Sequence, residues 1–168
     1  LRILDIKKGI KILDLACGQG YFSRAFALAG AVVTGADISS ELINKAEQHI
    51  KIVKHRVSDN VPVSFRIAPA DKLTFAKNAS FDVAVIILSL QNIENINGVM
   101  SECSRVLKEK GRLIMVLNHP AFRIPQKSSW DWDSKKGKQY RRIDAYLSEY
   151  GTKIDMTPGE KDKTKKKT

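Results

Sequence analysis

The densest chemistry in the chain lies in nine residues, Ile12-Leu13-Asp14-Leu15-Ala16-Cys17-Gly18-Gln19-Gly20. They read as a short apolar strand running into a glycine turn, with a helix predicted from Tyr21. Glycines suit such a turn because they tolerate positive φ and let a ligand meet bare backbone. The helix behind them aims unsatisfied N–H groups and the positive end of its dipole at the same spot. Together these features make a cradle of nucleotide size, with a carboxylate, Asp14, four residues before the first glycine. A cradle for a pyrophosphate has the spacing G-x-G-x-x-G. Here Ser23 stands at the third glycine's position, and the added carboxylate would repel a pyrophosphate and attract a cation.

Four further groups fall where strands are predicted to end. Asp37, 17 residues after Gly20, can accept both hydroxyls of a ribose or cap the helix that follows it. Pro69-Ala70-Asp71 follows the third strand, where the plain reading of Asp71 is a solvent-exposed loop acid. Ser89-Leu90-Gln91-Asn92-Ile93 follows the fourth, and Asn92 is a site amide or a helix cap. Asn118-His119-Pro120 follows the fifth. It puts at the open rim the side chain best matched to proton transfer near neutral pH, although a lone histidine is often structural. His49 and His55 fall in or after the second helix and read as surface. Cys17 and Cys103 read as reduced thiols, Cys17 being a small side chain that fits the turn rather than a nucleophile. No metal-ligand cluster or catalytic triad stands out.

The elements that must position these groups alternate. Strands are predicted over 11–16, 31–36, 63–67, 81–88 and 112–117, and helices over 21–29, from Ser39 or Ser40 onward, and over 97–109. The second helix carries Leu42, Ile43, Ala46 and Ile50 as its stripe; the third carries Val99, Cys103, Val106 and Leu107 and is ended by Gly111. Residues 72–80 read as loop. The alternation predicts an α/β fold, a doubly wound, mostly parallel sheet of order 3-2-1-4-5 with ligands beyond the strands' carboxyl ends. After His119 the pattern fails over 120–139, and a short helix is predicted over 141–150.

At 168 residues the chain has the length of one domain, and no apolar run approaches the ~20 residues of a membrane-spanning helix. No signal peptide is visible, which with the thiols points to the cytoplasm. The net charge of +11 is uneven: 16 basic against 11 acidic residues over 1–118, and 13 against 7 over 119–168. A basic stretch attracts polyanions without reading sequence, or is simply a solvated tail. The chain begins at Leu1 and ends in Lys165-Lys166-Lys167-Thr168, so both ends are expected to be cut.

The pattern Asp-x-Ala-x-Gly-x-Gly at residues 14–20 resembles the first motif of the class I S-adenosylmethionine-dependent methyltransferases, which usually carry glycine where this chain has Ala16. That cofactor bears an ammonium and a sulfonium and no phosphate, which suits the sign of Asp14. The resemblance covers residues 9–118 and implies a Rossmann-like domain over 1–118. It implies cofactor contacts from Asp14, Ala16, Gly18 and Gly20 at the turn, and from Asp37 and Ile38 at the ribose. Ala70 and Asp71 would meet the adenine, the acid accepting its exocyclic amine, and Ser89 and Leu90 the methionine part. His119 is the candidate base. Residues 119–168 would form an irregular basic segment, a substrate-side lid or a disordered tail. The family's sixth and seventh strands do not appear, so the fold is expected to be truncated after strand five, leaving an open apolar edge. The segment 118–150, with Phe122, Trp130, Trp132 and Tyr140, resembles bacterial methyltransferases of unassigned substrate. Methyl transfer to a small molecule is the implied reaction. The alternative is an RNA-binding or RNA-methylating module acting through the basic, aromatic segment.

Overall fold

The computed structural model describes residues 2–56, 61–119, 127–144, 146 and 148. The chain divides into two compact units, Leu1–Leu117 and Asn118–Thr168.

The first unit is a five-stranded parallel sheet of β1 (Lys11–Leu15), β2 (Val32–Asp37), β3 (Val63–Ile67), β4 (Phe81–Ile87) and β5 (Leu107–Val116), in the order β3-β2-β1-β4-β5. This is the order expected from the alternation. Helices α1 (Tyr21–Leu28) and α2 (Ser40–Arg56) cover one face, and α3 (Ile96–Val106) the other. Because successive side chains of a strand point to opposite faces, β1 is split between two cores. Ile12, Val33, Val83 and Val85 pack with Phe26 of α1 and Ile43, Ala46 and Ile50 of α2. Leu13, Leu15, Ala84 and Ile86 pack with Val99, Cys103 and Val106 of α3. A central strand covered on both faces reads as a continuous apolar run, and burying each such side chain is worth ~1.5–3 kcal/mol. Asp14 is the exception in that run.

Local chemistry sets the helix ends. The N–H of Leu42 donates to Ser39 Oγ, capping α2, and the N–H of Gly98 donates to Asn95 Oδ1, capping α3. Arg105 of α3 donates to the carbonyls of Leu73 and Ala76 and to Asn78 Oδ1, while Glu102 accepts the Leu73 N–H at 2.6 Å. The 72–80 segment, without regular structure as expected, is thereby pinned to α3.

Helix α3 stops earlier than the sequence predicts. Leu107 turns extended and pairs with Phe81, so it starts β5 instead of completing the helix's stripe. The register then shifts before Val83 pairs with Arg112. Gly111 sits in this bulge, where an added Cβ would meet the Lys108 carbonyl oxygen at 2.8 Å, and does not end the helix. His49 is only partly exposed, with Nδ1 buried and unpartnered, where a surface position was expected. His55's side chain lies outside the described residues.

The second unit contains the other correction. Where the pattern failed over 120–139 and a helix was expected over 141–150, β6 (Ser128–Asp133) and β7 (Lys138–Ile143) form an antiparallel hairpin. Arg141 to Ile143 are strand, not helix; most of the rest of that predicted helix lies outside the described residues, as do the terminal lysines. Gly137 (φ 60) and the Asp133 carboxylate, which accepts the N–H groups of Lys135 and Lys136, close the turn. Trp130 faces Arg141 across the ladder, with the guanidinium carbon 5.3 Å from the ring centroid. A cation–aromatic cross-strand pair stabilises a ladder without the apolar alternation by which strands are recognised in a sequence.

Candidate cofactor site

The glycine turn is wound through left-handed backbone at Ala16 (φ 52), Gly18 (φ 55) and Gly20 (φ 70). It is tied to the neighbouring strand by the Cys17 N–H donating to the Ala36 carbonyl, and the Arg24 guanidinium holds the Gln19 carbonyl at 2.6 Å. The two glycines do different work. A Cβ on Gly18 would meet nothing within 4 Å, so that backbone is open on its outer side. A Cβ on Gly20 would come within 2.6 Å of the Phe65 ring and 3.1 Å of Ala46 Cβ. Gly20 therefore serves the packing of the turn onto β3 and α2.

Asp37 holds the turn from β2. Its Oδ2 accepts the Gly18 N–H at 2.8 Å and its Oδ1 the Ser39 N–H at 2.9 Å, with only 7% of the residue exposed. Each carboxylate oxygen has a second lone-pair site, so Asp37 retains acceptor capacity toward a ligand. It is not the cap of α2; Ser39 is. The pairing of Leu15 with Ala36 in the parallel register brings Asp37 to the turn, which no local sequence signal announces.

Ala16, Asp37, Ile38, Ala70 and Asp71 meet around one cavity of about 550 Å³, together with Ala68, Pro69, Asn92, Ile93, Glu94 and Asn95. Sequence reasoning missed Glu94 and Asn95. The cap spacing from Asn95 to Gly98 was the signal that could have found them, by starting the third helix at residue 96.

Asp14, Gly20, Ser89 and Leu90 stand elsewhere. Asp14 shares the β1 face with Ile12, beneath α1; it is 2% exposed and accepts the Ser23 hydroxyl at 2.5 Å. It does not line the cavity, whose carboxylates are Asp37, Asp71 and Glu94. Burial pushes the Asp14 carboxyl up to about 7, against the opposing effect of the Ser23 hydrogen bond. The Cys17 thiol is also pushed up, first by burial and then by Asp14 and Asp37, which keeps it un-ionised and unsuited to nucleophilic attack. Leu90 packs in the α3-side core, and Ser89 Oγ is buried without a hydrogen-bond partner. His119 belongs to the second unit, where its ring stacks on Tyr146 with centroids 5.8 Å apart and Nε2 lies 3.5 Å from the phenol oxygen.

A parallel sheet with a glycine turn after β1, an acid at the end of β2 and a cavity over the strand ends defines a nucleoside-cofactor domain. The methyltransferase domain family matches residues 13–115, and the chain belongs to it. The class I domain of this family takes S-adenosylmethionine as its methyl donor. The chain is 32% identical over 120 residues to the demethylmenaquinone methyltransferase of Tropheryma whipplei (71% of this chain, 46% of that one). It is 29% identical over 107 residues to the ubiquinone biosynthesis O-methyltransferase of Xanthomonas oryzae pv. oryzae (64% and 42%). Among solved structures, an S-adenosylmethionine-dependent methyltransferase from Mesorhizobium loti superposes with a TM-score of 0.67 at 27% identity, covering 87% of this chain and 63% of that one. The chain thus spans less than half the length of the two relatives compared by sequence.

Proposed function

We propose that the chain binds S-adenosylmethionine in the 550 Å³ cavity and transfers its methyl group to a small-molecule acceptor. The observation that carries this reading is the cavity itself, with two buried or half-buried carboxylates, Asp37 and Asp71, among apolar walls. The residues fit the cofactor. The volume is within the ~300–1,000 Å³ of small-molecule sites. Ile38, Pro69 and Ile93 offer apolar walls to a purine, and Asp37 offers acceptors to a ribose. Asp71 would take an exocyclic amine, and the backbone around Gly18 is bare.

When bound, the cofactor supplies a methyl already activated by a positive sulfur. The protein's share is to hold donor and acceptor in line and keep water out, and alignment alone is worth ~7–11 kcal/mol of barrier. The two relatives, a demethylmenaquinone methyltransferase and a ubiquinone biosynthesis O-methyltransferase, support a phenolic or quinol ring as the acceptor. A phenol must lose a proton. His119, paired with Tyr146, is the candidate base, so His119→Ala would lower the rate on such an acceptor by ~10²–10⁴-fold and leave cofactor affinity unchanged. We place the reaction in the cytoplasm. Cys17 and Cys103 are free, and no helix among the described residues is long and apolar enough to cross a membrane.

Calorimetry with S-adenosylhomocysteine and with NAD tests the reading; binding of NAD alone would overturn it. A second reading rests on the hairpin, where Trp130 and Trp132 are 63% and 60% exposed beside Arg141. If the acceptor is RNA, retention of RNA falls steeply with salt and is lost on replacing both tryptophans by alanine.

A further inference from the structure

Asp71 and Asn95 come from different segments, one after β3 and one before α3, and meet on the cavity wall. Asn95 Nδ2 donates to Asp71 Oδ2 at 2.9 Å, and Asn95 Oδ1 accepts the Gly98 N–H at 3.0 Å. The backbone N–H of Gly98 can only donate, so it fixes which end of the amide faces it, and the Nδ2 end is left pointing at the carboxylate. Gly98 makes room for this arrangement. A Cβ there would run into Asn95 Nδ2 and come within 2.9 Å of Asp71 Cβ. Both residues line the cavity, with Asn92, Ile93 and Glu94 on the same segment as Asn95.

We propose that Asn95 is a positioning residue for the purine end of the cofactor: it engages one oxygen of Asp71 and thereby aims the other at the purine's exocyclic amine. The proposal deepens the functional reading given above and rests on it. An aspartate on a loop has two free torsions, and an acceptor that must find its direction on binding loses ordering entropy that a pre-set one does not. The α3 cap is the anchor for the whole arrangement, so the Asp71 direction is set by a helix end rather than by the loop carrying it.

The test compares S-adenosylhomocysteine with S-inosylhomocysteine, in which an oxygen replaces the exocyclic amine. The wild-type chain is expected to prefer the adenine compound by about tenfold or more, the worth of one hydrogen bond to a charged group. Asn95→Ser keeps a cap oxygen for Gly98 but cannot reach Asp71. It is expected to keep the wild-type melting temperature and cut the preference to less than about threefold. Purely structural damage would weaken both compounds alike and leave the ratio standing. Asp71→Asn, which retains an oxygen for the Asn95 amide, should also lose the preference and carries the test if Asn95→Ser fails to fold. A wild-type preference that survives in folded Asn95→Ser, or no preference in the wild type, overturns the proposal while leaving the cofactor reading intact. Failure of the wild type to bind S-adenosylhomocysteine overturns both.

Discussion

At the scale of single residues, the two turn glycines separate open backbone from packed backbone. Gly18→Ala adds a methyl in open space at positive φ, so its cost to stability is the ~1–2 kcal/mol of left-handed backbone. Its cofactor affinity should fall well beyond that, because the methyl stands on the bare side of the turn. Gly20→Ala drives a methyl into the Phe65 ring and should cost ~3 kcal/mol or more through overpacking and strain together. Urea unfolding beside calorimetry checks the pair, and equal stabilities would refute the assignment. Asp14 gives a pH prediction. In the unfolded chain it ionises near 3.8, in the fold near 7. Between those values the folded state retains a proton that the unfolded state has released, so stability falls as pH rises from about 4 to about 7 and then levels. Asp14→Asn keeps an acceptor for Ser23 and removes this slope. It should match the wild type near pH 4 and exceed it at pH 8 by an amount on the order of a few kcal/mol. The carboxylate was legible in the sequence and its direction was not, although its distance of two residues from Ile12 already put both on one face.

At the scale of elements, α3 does more than cover the sheet. Its Arg105 and Glu102 clamp the 72–80 segment, downstream of the Pro69 to Asp71 wall of the cavity. Arg105→Ala leaves the carbonyls of Leu73 and Ala76 without their donor. It is expected to cost ~2–3 kcal/mol and to speed amide exchange over 72–80 more than in β1. Unchanged exchange there would show that the clamp does not hold the loop. Helix α2 was legible because its stripe repeats at helical spacing, and α1 because it follows the glycine turn. The end of α3 was not, because pairing with β4 outcompeted one more helical turn at Leu107. The hairpin was missed for a related reason. Its strands alternate aromatic and charged residues, and cross-strand partners such as Trp130 with Arg141 hold it, which a pattern along one strand does not reveal.

At the scale of the molecule, β5 is one of the two outer strands of the sheet among the described residues, and Met115, Val116 and Leu117 are each more than 40% exposed. An unpaired apolar edge is a template for association. Sedimentation should therefore show concentration-dependent self-association of this chain, reduced by Met115→Lys; a monomer at all concentrations would contradict it. The sequence by itself determined the alternation of strands and helices, the strand order and the glycine turn, because these depend on period, turn chemistry and the handedness of crossovers, all local or nearly so. Only the tertiary structure decided which acids face the cavity. The sheet's pleat buried Asp14 away from the cavity, beneath α1. Asp37 was drawn to the turn by the parallel register of β1 and β2, and Asp71 was turned by an amide 24 residues away. Side-chain direction depends on what lies across space from a residue, and a chain read in one dimension does not carry that information.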